Sequence, residues 1–171
     1  MLRAILIGPP GSGKSSVGKA LSRELATSFV DTDALIVERE GRSIPEIFAE
    51  IGELGFRSIE REVVLHALSS NVGVVSLGGG AVLDGGVQDA ISHSSAHVIF
   101  LRVGLSNVLG RIGAKGDRPL LTDDPEQQWK ELFAKREGIY SALATLEINT
   151  DNKKPYEVAH ELKALMGLAH E

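Results

Sequence analysis

Cysteine is absent from the chain, which excludes disulfides and thiolate metal centres and is compatible with a reducing cytosol. Basic charge is in deficit: 18 Lys and Arg stand against 23 Asp and Glu, a formal net charge of −5. General binding to nucleic acid or to an anionic membrane needs a basic surface, so neither is expected, and any basic site must be local. Long hydrophobic runs are missing too. At the N-terminus, Arg3 precedes only a short apolar run that ends in glycine, which reads as neither a signal peptide nor a membrane span. No internal repeat, low-complexity tract or composition shift marks a second domain. With 171 residues, 43% of them hydrophobic and 24% charged, the expectation is one soluble, intracellular globular domain spanning 1–171.

What the chain does have, almost at its start, is Gly8-Pro9-Pro10-Gly11-Ser12-Gly13-Lys14-Ser15, directly after the apolar run Leu2 to Ile7. The pattern G-x-x-x-x-G-K-[ST] between a strand and a helix is a phosphate-binding loop for a nucleoside triphosphate. Its glycines let backbone N–H groups turn onto phosphate oxygens, and the dipole of the helix from Lys14 to Leu25 adds to the attraction. Lys14 reaches the β and γ phosphates, and the Ser15 hydroxyl holds Mg²⁺. Gly11, Ser12, Gly13 and Ser16 complete the nucleotide-side set.

Apolar runs of strand length recur between helical patterns: Ala4 to Ile7, Ser28 to Val30, Val72 to Leu77, His97 to Leu101 and a weaker Leu146 to Asn149. Helical periodicity is clearest in Val17 to Leu25, Glu60 to Leu68, Glu126 to Tyr140 and Tyr156 to Met166. The alternation predicts an α/β fold, a parallel sheet of about five strands with helices on both faces. Two segments stand apart. Gly110 to Asp124, rich in Gly, Pro and Asp, is a loop long enough to be a lid, about 112–124. Asp33 to Gly55 is helical but broken by Gly41, Pro45, Gly52 and Gly55, which suggests a small substrate-binding insertion of about 33–60. Phosphoryl transfer needs such closing parts to keep water from the γ-phosphate.

Asp31-Thr32-Asp33 follows the second strand and brings two carboxylates to the carboxyl edge of the sheet. Period two points both the same way. In-line transfer to an alcohol uses one carboxylate near the metal and one near the acceptor hydroxyl, although Asp33 could equally be the N-cap of a helix beginning at Ala34. The strand Val74 to Leu77 ends in Gly78-Gly79-Gly80 and has no aspartate at its end, so the usual second metal-side carboxylate is lacking there. Three glycines suit a close approach of backbone to ligand, or a plain tight turn. Arginines occur singly in Phe56-Arg57-Ser58-Ile59-Glu60, Arg118-Pro119-Leu120-Leu121 and Arg136-Glu137-Gly138-Ile139-Tyr140. The five histidines have no metal-ligand spacing, and Trp129 and Phe133 read as the packing face of a helix rather than a nucleotide stack.

With these motifs in this order, the chain resembles the shikimate kinases over nearly its whole length. The resemblance implies a three-layer P-loop fold of the nucleoside-monophosphate-kinase type with sheet order 2-3-1-4-5, and transfer of the ATP γ-phosphate to the 3-hydroxyl of shikimate. It implies that Asp33 binds the shikimate hydroxyls and acts as general base, that Arg57 and Arg136 clamp the carboxylate, and that Gly78, Gly79 and Gly80 bring backbone to a ring hydroxyl. Guanidinium forks suit a planar carboxylate. It implies further that Arg118 swings onto the phosphates as the lid closes and that Asp31 assists Mg²⁺ through water. Arg111 and Pro155 would sandwich the adenine, with Lys153 beside them. Asp84-Gly85-Gly86 receives no role.

A gluconate kinase would share the loop and lid but needs no paired arginines, and a nucleoside monophosphate kinase would need arginines for a phosphate acceptor. A regulatory relative without activity would be expected to lose Lys14, Asp33 or a substrate arginine, and all are present. No long uncapped apolar face is evident, so a monomer is expected.

Overall fold

The computed structural model describes residues 1–109 and 124–168. Strands β1 (Leu2–Ile7), β2 (Phe29–Asp31), β3 (Gly73–Ser76), β4 (His97–Arg102) and β5 (Leu146–Asn149) form one parallel sheet in the order β2-β3-β1-β4-β5. Helices α1 (Lys14–Glu24), α2 (Thr32–Glu40), α3 (Ile44–Ser70), α4 (Gly85–Ser92), α5 (Pro125–Leu143) and α6 (Pro155–Leu168) connect and cover it. β1 begins at Leu2 rather than Ala4, β2 begins at Phe29 rather than Ser28, β3 ends at Ser76 rather than Leu77, and β4 ends at Arg102 rather than Leu101. Two further limits have a visible cause. Asp31 belongs to β2 because it pairs in register with Ser76, and Val72 falls outside β3 because Gly73, at φ 96°, turns the chain into the strand.

Alternation along each strand builds the layers. Ile5 and Ile7, Val75, and Val98 and Phe100 face one way, onto Val64 and Ala67 of α3, Val87 and Ile91 of α4 and Tyr140 of α5. Ala4 and Leu6, Val74, and Ile99 and Leu101 face the other way, onto Val17 and Leu21 of α1 and Val158, Leu162 and Met166 of α6. Both faces are covered over the central strands, so β1, β3 and β4 read as near-continuous apolar runs, whereas β5 at the sheet edge alternates through Leu146, Glu147, Ile148 and Asn149. Each such side chain contributes roughly 1.5–3 kcal/mol when fully buried.

Beside the sheet, Ile36 of α2 and Ile47, Phe56 and Val63 of α3 close a separate small core. Gly41, in the left-handed conformation at φ 69°, ends α2. Ser43 then caps α3 by accepting from the Glu46 N–H at 3.3 Å, and Pro45 sits in the first turn, where a missing N–H costs nothing. Inside α3, Gly52 breaks the helical geometry at φ 73° and ψ −179°. Gly55, by contrast, does not interrupt the helix, and Glu60 to Leu68 is its continuation rather than a separate element. Asp84-Gly85-Gly86 turns out to be a helix start: the Asp84 carboxylate accepts from the Val87 N–H at 3.0 Å and caps α4. No helix among the described residues is long and apolar enough to cross a membrane.

Phe100 of the central sheet is fully buried between Tyr140, 5.1 Å away between ring centroids, and Phe133 at 6.5 Å. Phe100→Ala is expected to lower stability by about 3–5 kcal/mol, since no neighbour can fill the ring's space; urea denaturation measures it, and a loss below about 1 kcal/mol would contradict this packing.

Candidate active site

All five strands run parallel, so the loops after β1, β2, β3 and β5 open on one edge. There they enclose a cavity of about 320 Å³ lined by Pro10, Gly11 to Val17, Asp31, Asp33, Ser76 to Gly79, Thr150, Lys153, Pro155 and Val158. The structure thereby brings together the loop residues Gly11, Ser12, Gly13, Lys14, Ser15 and Ser16 with both aspartates, Lys153 and Pro155. Arg111, Arg118 and most of the segment 112–124 lie outside the described residues.

The phosphate loop has positive φ at Gly8 (152°), Gly11 (82°) and Gly13 (88°), the backbone turns that glycine permits. The Lys14 ammonium donates to the Gly8 and Pro9 carbonyls, each at 2.9 Å, folded along the loop it is to serve. Ser15 Oγ donates to an Asp31 carboxylate oxygen, and the other Asp31 oxygen accepts from the N–H groups of Asp33 at 2.9 Å and Ala34 at 3.4 Å. Two expectations are corrected here. The N-cap of α2 is Asp31 and not Asp33, and strand alternation stops at Asp31 because Thr32 already opens the helix. Asp33 lies in the first turn of α2 and reaches the same cavity from there. Thr32, fully buried, accepts from the Gly78 N–H at 3.3 Å and ties the aspartate segment to the end of β3.

The three glycines after β3 each face a different partner. A side chain on Gly78 would meet Asp33 Oδ1 at 2.7 Å and Glu60 Oε2 at 3.0 Å. One on Gly79 would meet Pro10 Cδ at 3.1 Å and Arg136 Nη1 at 3.4 Å, and one on Gly80 would strike the Arg57 guanidinium at 2.5 Å. None of the three has a positive φ. Close approach, and not turn geometry, is what requires glycine there.

Arg57 donates to Glu60 Oε1 at 2.7 Å and lies 3.6 Å from Glu53. Glu60 is nearly buried, and burial raises its carboxyl pKa above the ordinary value although Arg57 and Arg136 pull it back. Arg57 and Gly80 also line a second cavity of about 260 Å³ with Glu53, Arg61 and Asp84. Arg136, 4% exposed, sits on α5 one turn before Tyr140. The Tyr140 hydroxyl donates to the Gly79 carbonyl at 2.5 Å, and burial pushes its pKa up to about 12 against the pull of Arg136.

The sequence placed Thr32, Glu60 and Tyr140 only within motifs, read Trp129 only as part of a helix packing face, and gave Thr150 no role. The Trp129 indole N–H donates to the Pro10 carbonyl at 3.0 Å, and the Thr150 hydroxyl is shared between the Ser12 carbonyl at 3.2 Å and the Arg102 carbonyl at 3.1 Å. The contacts to Pro10 and Ser12 span 119 and 138 residues, so no local pattern could signal them. Trp129 does pack a helix face, stacked on Phe133 at 5.0 Å, as its spacing predicts. On the nucleotide side, Lys153 donates to Glu161 at 3.0 Å and Pro155 opens α6.

A phosphate loop between β1 and α1, a five-stranded parallel sheet in the order 2-3-1-4-5 and a helical flank carrying acidic and basic side chains define a P-loop phosphotransferase. The shikimate kinase family model matches residues 10–166. A shikimate kinase of Rhodococcus erythropolis is 44% identical over 161 residues, 94% of each chain. Among solved structures, the shikimate kinase of Acinetobacter baumannii in complex with shikimate superposes with a TM-score of 0.94 at 31% identity, covering 100% of this chain and 96% of that one. That of Aquifex aeolicus gives 0.82 at 37% identity, with 98% of each chain covered. The chain belongs to the shikimate kinase family.

Tyr140→Phe leaves the Gly79 carbonyl without its donor and is expected to cost roughly 1–2 kcal/mol at neutral pH. The raised pKa adds a sign: the folded state keeps the phenol proton while the unfolded chain loses it above its ordinary value of 10.0. Wild-type stability relative to the Phe variant should therefore be constant below pH 10 and fall by on the order of 2–3 kcal/mol towards pH 12. Parallel denaturation curves for the two proteins from pH 8 to 12 check it, and curves that keep a constant gap throughout would refute the buried phenol.

Proposed function

We propose that this protein is a shikimate kinase, transferring the γ-phosphate of ATP to the 3-hydroxyl of shikimate and releasing ADP in the chorismate route to aromatic amino acids. The observation that carries this reading is the convergence of Asp33, Arg57 and Arg136 on the side-chain-free strip Gly78-Gly79-Gly80 beside the phosphate loop. That strip lets an acceptor ring lie against backbone. Arg57 and Arg136 fork onto its carboxylate in this reading, which the hydrogen bond from Arg57 to Glu60 supports by holding that guanidinium in position. Asp33 then faces the acceptor hydroxyl, orients it and takes its proton as the new O–P bond forms. Lys14 turns from the loop carbonyls to the β and γ phosphates and offsets charge as the γ-phosphoryl group moves.

The Ser15 hydroxyl and the Asp31 carboxylate are hard oxygen donors already on one another at the cavity, a set that fits Mg²⁺. Among the described residues no group of three or more acidic or histidine side chains could hold a metal alone, which suits an ion that keeps water and phosphate oxygens as its other ligands. Held by Ser15 and Asp31, the ion would supply positive charge against that of the phosphate groups. By the family resemblance, Arg118 closes over the phosphates and Arg111 with Pro155 encloses the adenine, Lys153 adding charge nearby. A monomeric, cytoplasmic enzyme acting on small molecules, with neither nucleic acid nor membrane as partner, completes the reading; the absence of cysteine and the acidic balance agree with it.

A coupled assay for ADP release at fixed ATP and Mg²⁺, comparing shikimate with gluconate and AMP, tests the assignment. Turnover with shikimate alone is expected, and turnover with gluconate or AMP instead would move the acceptor. Asp33→Asn should lower kcat about 100-fold or more with little change in the KM for ATP. Undiminished kcat in that variant would remove Asp33 from its role.

A further inference from the structure

A loop that turns its N–H groups inward onto phosphate turns its carbonyls outward, and in a half-buried setting those oxygens need donors of their own. The structure supplies donors to five of them. Gly8 and Pro9 receive the Lys14 ammonium, and Pro9 also accepts from the Ser12 N–H at 3.2 Å. Gly13 accepts from the Val17 N–H at 2.9 Å as α1 begins. Pro10 and Ser12 are different, because their donors come from distant elements: the Trp129 indole on α5 and the Thr150 hydroxyl just past β5.

We propose that Trp129 is a positioning residue for the phosphate loop, its indole N–H holding the Pro10 carbonyl outward so that the loop keeps its nucleotide-binding form, with Thr150 doing the same at Ser12. The inference rests on the reading that this loop binds nucleotide. Lys14 must divide its donors between loop and phosphate, and the Thr150 hydroxyl shares one proton between the Ser12 carbonyl at 3.2 Å and the Arg102 carbonyl at 3.1 Å, whereas the single Trp129 donor is directed at Pro10. Trp129 is suited to the task. It is 4% exposed, stacked at 5.0 Å on Phe133 and packed with Val103 and Val108, so its single donor has a fixed direction.

Trp129→Phe keeps a stacked ring and removes only the donor, and Thr150→Val keeps the shape and removes the hydroxyl. Calorimetric titration with ADP, which needs no acceptor, should show about three- to tenfold weaker binding in each variant, while the KM for shikimate stays within about twofold of wild type. Unchanged ADP affinity in Trp129→Phe overturns the proposal. So does equal weakening toward ADP and shikimate, the mark of a merely structural residue. Should Trp129→Phe not fold, replacing the indole of this single tryptophan by benzothiophene, which keeps both rings and lacks the N–H, decides by the same titration: weaker ADP binding supports the anchor, and unchanged affinity overturns it. Failure of the wild type to bind ADP at all would instead bring down the nucleotide reading, and this inference with it.

Discussion

Where β3 runs out, Gly78, Gly79 and Gly80 leave room that three other elements fill: Asp33 from α2, Arg57 and Glu60 from α3, and Arg136 from α5. A methyl group at Gly78 or Gly80 would stand within 2.7 Å of a charged atom, closer than real contacts allow, so the acidic and basic groups could not hold these positions together. The constraint runs outward from there. Thr32 and Tyr140 bond the strip's own N–H and C=O groups, which pins α2 and α5 to the sheet edge at the height where their functional side chains emerge.

The charges gathered at this edge would be costly without one another. Glu60 and Arg136 are 3% and 4% exposed, and isolated buried ions are expensive because water is withheld from them. Arg57 bonds Glu60, Arg136 attracts it, and the cluster is tolerable because opposite signs are interleaved. Glu53, 3.6 Å from Arg57, and Asp33, against Gly78, add two further carboxylates, so the two guanidinium groups are held among acidic side chains in a chain whose total is −5. An arginine fork, and not a basic surface, is what would recognise an anionic acceptor there.

Much of this was legible in the linear chain. The phosphate loop could be read because its chemistry lies in eight consecutive residues, Gly8 to Ser15, between a strand and a helix whose patterns are unambiguous. The sheet was legible because strands buried on both faces become continuous apolar runs, and its order followed from the family resemblance. Local reasoning slipped where two neighbours competed for one role. Asp31 and Asp33 are both good caps, and the choice fell to Asp31 only because β2 extends through it to pair with Ser76 and the helix opens one residue later. Gly55 resembled a helix breaker but lies within helical geometry, with Ile51 packed where its side chain would be.

By itself the sequence determined which chemical groups are available and which local frame carries each, because capping, glycine turns and strand periodicity act over a few residues. Only the tertiary structure decided who meets whom: that Glu60 sits on Arg57 beneath the glycine strip, that Tyr140 holds Gly79, and that Trp129 and Thr150 hold the phosphate loop from 119 and 138 residues away. Those pairings arise from packing the two faces of one parallel sheet, where a hydrogen bond forms because chain closure has delivered the donor, and separation along the chain carries no record of it.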